Sequence, residues 1–197
     1  MNYATVVADP PWQVKAGRPL LGYVTVDGKQ IWSPAAQKSR ELAYPSMGVD
    51  EIKALRVADV AADGAHLYLW TINKYLCDAF DVAAAWGFTY STTLVWAKNP
   101  KGNGLGGAYG ISTEFCLFCR RGKLSAMRDI GTTWFNWKRP YDERGKPRHS
   151  AKPAEFFAMV EQVSPGLRLE MFARDRRPGW DAWGNEVDSV SLPLELF

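Results

Sequence analysis

The chain is short of most features that would mark a specialised class. It has three cysteines in 197 residues, Cys77, Cys116 and Cys119. A small, odd set cannot make a disulfide framework and fits a reducing cytosol. Cys116-x-x-Cys119 has the spacing of half a zinc site, but no second pair or flanking histidine completes it. Both therefore read as buried residues of an apolar strand. The two histidines, His66 and His149, are too isolated to suggest a ligand set, and no metal is expected. No apolar run is long enough to cross a bilayer, and no membrane partner is expected. Met1-Asn2-Tyr3 leads straight into a strand, so no secretory leader is expected and the location expected is the cytoplasm. There is no internal repeat. The glycine-rich stretch from Lys98 to Gly110 lacks the Gly-Lys-Ser/Thr of a phosphate loop, and no strand-to-helix G-x-G-x-x-G occurs. Charge of one sign is nearly absent as an excess: the net charge is +3, which permits a polyanionic partner without demanding one.

What is present is an ordinary globular balance, 47% hydrophobic and 23% charged, at a length that fits one domain over residues 1–197. The nine tryptophans raise the odds of stacking surfaces. Apolar runs at Tyr3 to Ala8, Ala65 to Trp70, Phe88 to Trp96, Thr113 to Arg120 and Leu167 to Ala173 predict strands. Helices are predicted from Asp50, as N-cap, to Arg56, from Tyr75 to Trp86, and from Ala154 to Val163 after Pro153. Asp27-Gly28 between two short β-prone runs predicts a hairpin. Alternating strands and helices argue an α/β domain with a largely parallel sheet. Ligands of such sheets sit beyond the carboxyl ends of the strands, where Asp9 and Arg174 fall.

The stretch that stands out is Asp9-Pro10-Pro11-Trp12 at the end of the first strand. Two prolines make a stiff, extended exit whose carbonyls accept hydrogen bonds while no prolyl N–H competes. Asp9 adds a carboxylate acceptor and Trp12 a flat face. Acceptors beside a stacking plane suit an aromatic amine, such as the exocyclic amino group of a nucleobase. A proline-rich turn with a capping Asp and a core Trp is the bland alternative. Further along, the basic-aromatic segment with Trp134, Trp137, Lys138 and Arg139 suits a nucleic-acid backbone or a solvated loop equally well. Glu114, at a strand start, suits either the substrate side of a site or a surface ion pair.

Asp9-Pro10-Pro11-Trp12 resembles the catalytic signature of amino-methyltransferases, and in its Trp ending it is most similar to the methyltransferase-A seventy-kilodalton-subunit family of N6-adenine methyltransferases. Tyr44-Pro45-Ser46-Met47 resembles that family's Tyr-x-Thr-Met loop, with Ser for Thr. Ser150-Ala151-Lys152-Pro153 resembles its Lys-Pro helix start. Leu169-Glu170-Met171-Phe172-Ala173-Arg174, Pro178-Gly179-Trp180 and Trp183-Gly184-Asn185-Glu186 resemble its C-terminal cofactor block, with Glu186 where Gln is frequent. The resemblance implies a Rossmann-like fold with helices on both faces of a mostly parallel sheet and a permuted order, the catalytic motif preceding the cofactor motif. It implies S-adenosylmethionine as cofactor, held by Ala8, Asp9, Lys152, Glu170, Phe172, Arg174, Asn185 and Glu186. It implies catalysis by Asp9, Pro10, Pro11 and Trp12, with Trp12, Tyr44, Lys152 and Glu114 toward the substrate adenine. The partner expected is nucleic acid, DNA ahead of RNA, with a monomer or homodimer as the working unit. A silent nucleic-acid-binding subunit is a third reading, against which the intact signature speaks.

Overall fold

The computed structural model describes residues 2–13, 22–33, 46–98, 109–146, 148 and 151–188. The expected substrate residue Tyr44, His149 and most of the glycine-rich stretch lie outside the described residues.

The strands are β1 (Tyr3–Ala8), β2 (Gly22–Val26), β3 (Lys29–Ser33), β4 (Ala61–Thr71), β5 (Thr89–Ala97), β6 (Thr113–Arg121), β7 (Trp134–Phe135), β8 (Arg168–Met171) and β9 (Asp181–Trp183). Helices α1 (Val49–Ala54), α2 (Val57–Val60), α3 (Leu76–Ala85) and α4 (Ala154–Val163) intervene, and a 3₁₀ turn at Asn73–Tyr75 leads into α3. Seven strands form one sheet in the order β7-β5-β6-β4-β1-β8-β9. The pairs β1–β4, β1–β8, β8–β9 and β5–β7 are parallel, while β6 runs antiparallel to both β4 and β5. The fold is therefore the Rossmann-like α/β arrangement expected, with one reversed strand. β2 and β3 form the separate hairpin that Asp27-Gly28 predicted, and both turn residues have positive φ, 49° and 73°.

Side-chain alternation builds two cores on opposite faces of the sheet. Val6, Ala8, Leu67, Leu69, Leu117, Leu169 and Met171 pack under α1–α3, around Ile52, Val82 and Trp86. Val7, Tyr68, Trp70, Leu94, Trp96 and Cys116 pack under α4, against Phe156, Phe157 and Val160. Each fully buried large apolar side chain contributes about 1.5–3 kcal/mol over its exposed state. α4 begins after Pro153, which is tolerated at a helix start. α1 starts earlier than expected: Gly48, not Asp50, is the cap, and its N–H donates to Glu51 Oε2 at 2.5 Å. Glu51 reaches back from the third helical position, so Asp50 is left as a first-turn acid favoured by the helix dipole.

Cys116 and Cys119 are buried and unbridged. His66 is buried in a network of its own, Nδ1 to Ser164 Oγ and Nε2 to the Leu124 carbonyl, and burial pushes its basicity down. Among the described residues no helix is long and apolar enough to cross a membrane.

Candidate active site

The parallel strands β1, β4, β5 and β8 all end at one edge of the sheet, and antiparallel β6 starts there. The same alternation that fills the α4 core then selects which side chains arrive at that edge on the α4 side. Asp9 follows Val7, Glu114 precedes Cys116 by two, Lys98 follows Trp96, and Glu170 lies between Leu169 and Met171, which face the other way. Lys152 enters the same space from the approach to α4.

These residues form one charge cluster. Lys152 Nζ donates to Asp9 Oδ2 at 2.5 Å and lies 3.6 Å from Glu114 Oε2. Lys98 Nζ pairs with Glu114 Oε1. The Lys152 ammonium also stands 5.1 Å over the Trp70 ring. On the far side, Arg177 Nε donates to Glu170 Oε2 at 2.9 Å, and its guanidinium lies 3.5 Å from the Phe157 ring centre. A narrow cleft joins the two halves, lined by Asp9, Trp70, Lys152, Glu170, Phe172, Arg174 and Arg177 among others.

Burial and pairing set the protonation states. Burial alone would push the Lys152 ammonium toward neutrality, but Asp9 and Glu114 outweigh it and hold its pKa above the usual lysine value. Burial would raise Glu114, yet Lys152 and Lys98 together bring it below its usual range. For Asp9 burial wins: its pKa is raised, with Lys152 opposing. Burial also lowers Lys98, against the pull of Glu114, and lifts Glu170 to about 6.

The expected site residues do not all reach this cleft. Asp9, Lys152, Glu170, Phe172 and Arg174 line it. Glu114 joins through Lys152. Ala8 is wholly buried in β1 between Leu69 and Met171, so only its backbone faces the edge. Asn185 and Glu186 are exposed beyond β9 in a shallow basin with Arg176 and Val187, connected to the cleft by the Arg174–Glu186 pair at 3.5 Å. Trp12, expected as a stacking plane at the mouth, is 5% exposed. Its ring stacks on Tyr75 at 5.2 Å and its indole N–H donates to the Trp70 carbonyl at 3.0 Å. An indole with its N–H satisfied and its face covered braces the loop. The prolines are tied down as well. Trp12 N–H donates to the Pro10 carbonyl and Met47 N–H to the Pro11 carbonyl, each at 2.8 Å. The second lone pair of each carbonyl is not used by these bonds.

Sequence reasoning missed Lys98 and Arg177. Lys98 falls in the glycine-rich stretch, and Arg177 in the basic run from Arg174 to Pro178, where no motif gives it a partner. The period-2 parity with Trp96 was the one signal for Lys98. Phe172 holds a left-handed backbone, φ 60°, rare for a bulky residue, and packs edge-on against Trp183 at 5.5 Å. A wider cavity beneath residues 126–133, floored by Tyr68, Leu94, Phe118 and Met159, shares none of the cluster residues.

The profile of the MT-A70 family matches residues 3–186. The chain belongs to the MT-A70 family. That is the adenine-N6 methyltransferase family its motifs resemble, so the chain is by family a methyl-transfer enzyme. Among MT-A70 proteins it is similar to the type II methyltransferase M.MunI of a Mycoplasma species, 28% identical over 209 residues that cover 98% of this chain and 82% of that one. It is similar to the human N(6)-adenosine-methyltransferase catalytic subunit METTL3, 25% identical over 97% of this chain and 29% of that one. An MT-A70-like N(6)-adenosine-methyltransferase of Arabidopsis thaliana is 26% identical over 97% of this chain and 24% of that one. The chain thus spans most of the bacterial relative and about a quarter to a third of the plant and animal ones.

Proposed function

We propose that this MT-A70 chain is a single-domain, S-adenosylmethionine-dependent adenine-N6 methyltransferase acting on DNA. The observation that carries the reading is the Asp9–Lys152 pair, 2.5 Å apart, at the edge where β1 and β8 end side by side. DNA is put ahead of RNA because the chain is 28% identical to a relative named as a type II methyltransferase, against 25% to human METTL3.

The cleft has the chemistry to hold the cofactor. The Trp70 indole N–H is buried with no acceptor among the described residues, a donor in need of a polar ligand. Glu170 supplies carboxylate oxygens for ribose hydroxyls, Arg174 with Asn185 and Glu186 closes the far end, and Phe172 offers an apolar wall. When bound there, S-adenosylmethionine supplies an electrophilic methyl group on a sulfonium.

The protein's part is positioning and electrostatics. An adenine amino nitrogen is a weak nucleophile because its lone pair is conjugated with the ring. Asp9 and the Pro10 carbonyl accept its two N–H bonds, which favours a pyramidal nitrogen and aims the lone pair toward the cofactor side. Lys152 keeps Asp9 ionised and oriented. No strong base is needed before methyl transfer, since the nitrogen sheds its proton readily once alkylated. In duplex DNA the base must first leave the stack. Trp12, braced on Tyr75, keeps the acceptors in place.

The test is methyl transfer to duplex DNA, single-stranded DNA and RNA in parallel, with digestion of the product and identification of the modified base. N6-methyladenine in DNA is expected, and product confined to RNA would move the substrate to the second reading. Asp9→Ala should abolish transfer, a loss of about 10³-fold or more, with the thermal transition retained. Full activity in that variant would overturn the mechanism.

A further inference from the structure

The cluster contains one more lysine than an amine-holding site requires. Lys152 stands between two carboxylates, and an ammonium so placed is shared between them unless something breaks the tie. The distances show that the tie is broken: 2.5 Å to Asp9 and 3.6 Å to Glu114. The other oxygen of Glu114 carries Lys98. Lys98 is held in turn by the ring of Trp96, 4.8 Å from its Nζ, at the end of β5. The result is an alternating row, Lys98–Glu114–Lys152–Asp9, spanning the ends of β5, β6 and β1, with two cations balancing two anions.

We propose that Lys98 is a positioning residue for methyl transfer: by engaging Glu114 it leaves the Lys152 ammonium on Asp9. This rests on the reading of Asp9 as the acceptor of the adenine amine. Lys98 has no need to touch substrate or cofactor. Without it the pairing that remains to Glu114 among the described residues is Lys152, which Glu114 then draws away from Asp9. The row then carries a net negative charge in a buried place, where such charge is costly. Asp9 relieves that cost by taking a proton at higher pH, and a protonated Asp9 donates where it should accept. The other charged groups facing the row are Arg139 near Lys98, and Arg174 and Glu170 near Asp9. The Cys116 thiol beneath it is kept neutral by burial. The contact to Glu114 Oε1 is the one that Lys98 makes.

The experiment is a double-substitution cycle on the full chain with Lys98→Met, Glu114→Gln and both together. Steady-state rates on the polymer the wild type methylates would be measured across pH, with the Asp9 carboxyl followed by ¹³C NMR titration without cofactor. Lys98→Met should lower kcat about tenfold with KM for the polymer little changed, and move the acid limb of the profile and the Asp9 titration up by about one pH unit. Adding Glu114→Gln restores charge balance and removes the carboxylate that competes with Asp9 for Lys152. The double variant should therefore recover a large part of what Lys98→Met lost, and Lys98→Arg should stay near wild type. Additive losses, or an Asp9 titration unmoved in Lys98→Met, would overturn the proposal. If Lys98→Met fails to fold, Lys98→Gln replaces it with the same expectations. The NMR arm separates the two ideas: a wild type that methylates no nucleic acid defeats the functional reading, while the Asp9 titration still decides whether Lys98 controls the row.

Discussion

The Glu170 carboxyl in β8 is buried on one side and paired with Arg177 on the other, and burial wins: it is lifted from 4.5 to about 6. The sign of the consequence follows from proton linkage. Between those values the folded chain binds more protons at this position than the unfolded chain, so stability falls as pH rises from 4.5 through 6 and levels off above. The cost of ionising Glu170 in place is at most about 2 kcal/mol. Glu170→Gln should remove this component. In urea unfolding at a series of pH values, the variant should gain on the wild type between pH 4.5 and 7, and an unchanged difference would refute the assignment. At this scale much was legible in advance. Asp9, Lys152, Glu170 and Arg174 were chosen from local motifs and do line one cleft. Trp12 was not legible, because whether an indole faces a mouth or a neighbour depends on Tyr75, 63 positions away. Arg177 was missed for the same reason: its partner is fixed by a loop that folds back on β8.

Among the elements, β8 and β9 are held so close that one glycine is required between them. A Cβ on Gly184 would meet the Ala173 carbonyl oxygen at 2.5 Å and the Ala173 nitrogen at 2.7 Å. Neither is a flexible side chain that can swing away. Ala173 N–H also donates to the Trp183 carbonyl at 3.0 Å, so the strands cannot part without losing that bond. Gly184→Ala should cost about 1–3 kcal/mol, read as a lower urea midpoint, and loosen the Arg174–Glu186 contact across the same junction. An unshifted midpoint would mean that the junction has slack. The long strands and the helices α3 and α4 were readable because their apolar periods are sustained. β7, β9 and α2, of two, three and four residues, were not. Such short pieces carry no period of their own: β7 and β9 exist because β5 and β8 pair with them, and α2 because Val57 and Val60 are buried in the core.

For the whole molecule, a net charge of +3 is modest, and several cations lie on loops near the candidate site. Lys138 is exposed beyond β7, Arg148 pairs with Asp175 across the loop after β8, and Arg176 lies beside Asn185. A polymer substrate held in part by such cations should have a salt-sensitive KM and a kcat that is nearly salt-independent. Raising salt from about 50 to about 200 mM should raise KM roughly tenfold or more. A flat KM would show that binding comes from contacts other than phosphate. What the sequence determined by itself were the local matters: strand and helix periods, the stiff acceptor-bearing exit at Asp9-Pro10-Pro11-Trp12, the Asp27-Gly28 hairpin, and the family those motifs belong to. Only the tertiary structure decided that β6 reverses and so delivers Glu114 to the same edge as Asp9, that Lys98 reaches Glu114, and that Trp12 turns inward. Periodicity says which face a side chain takes along its own strand. It does not say which strand lies alongside, in which direction, or with which residue opposite. Those are settled by contacts between residues far apart in the chain, and the charge row at this site is made of such contacts.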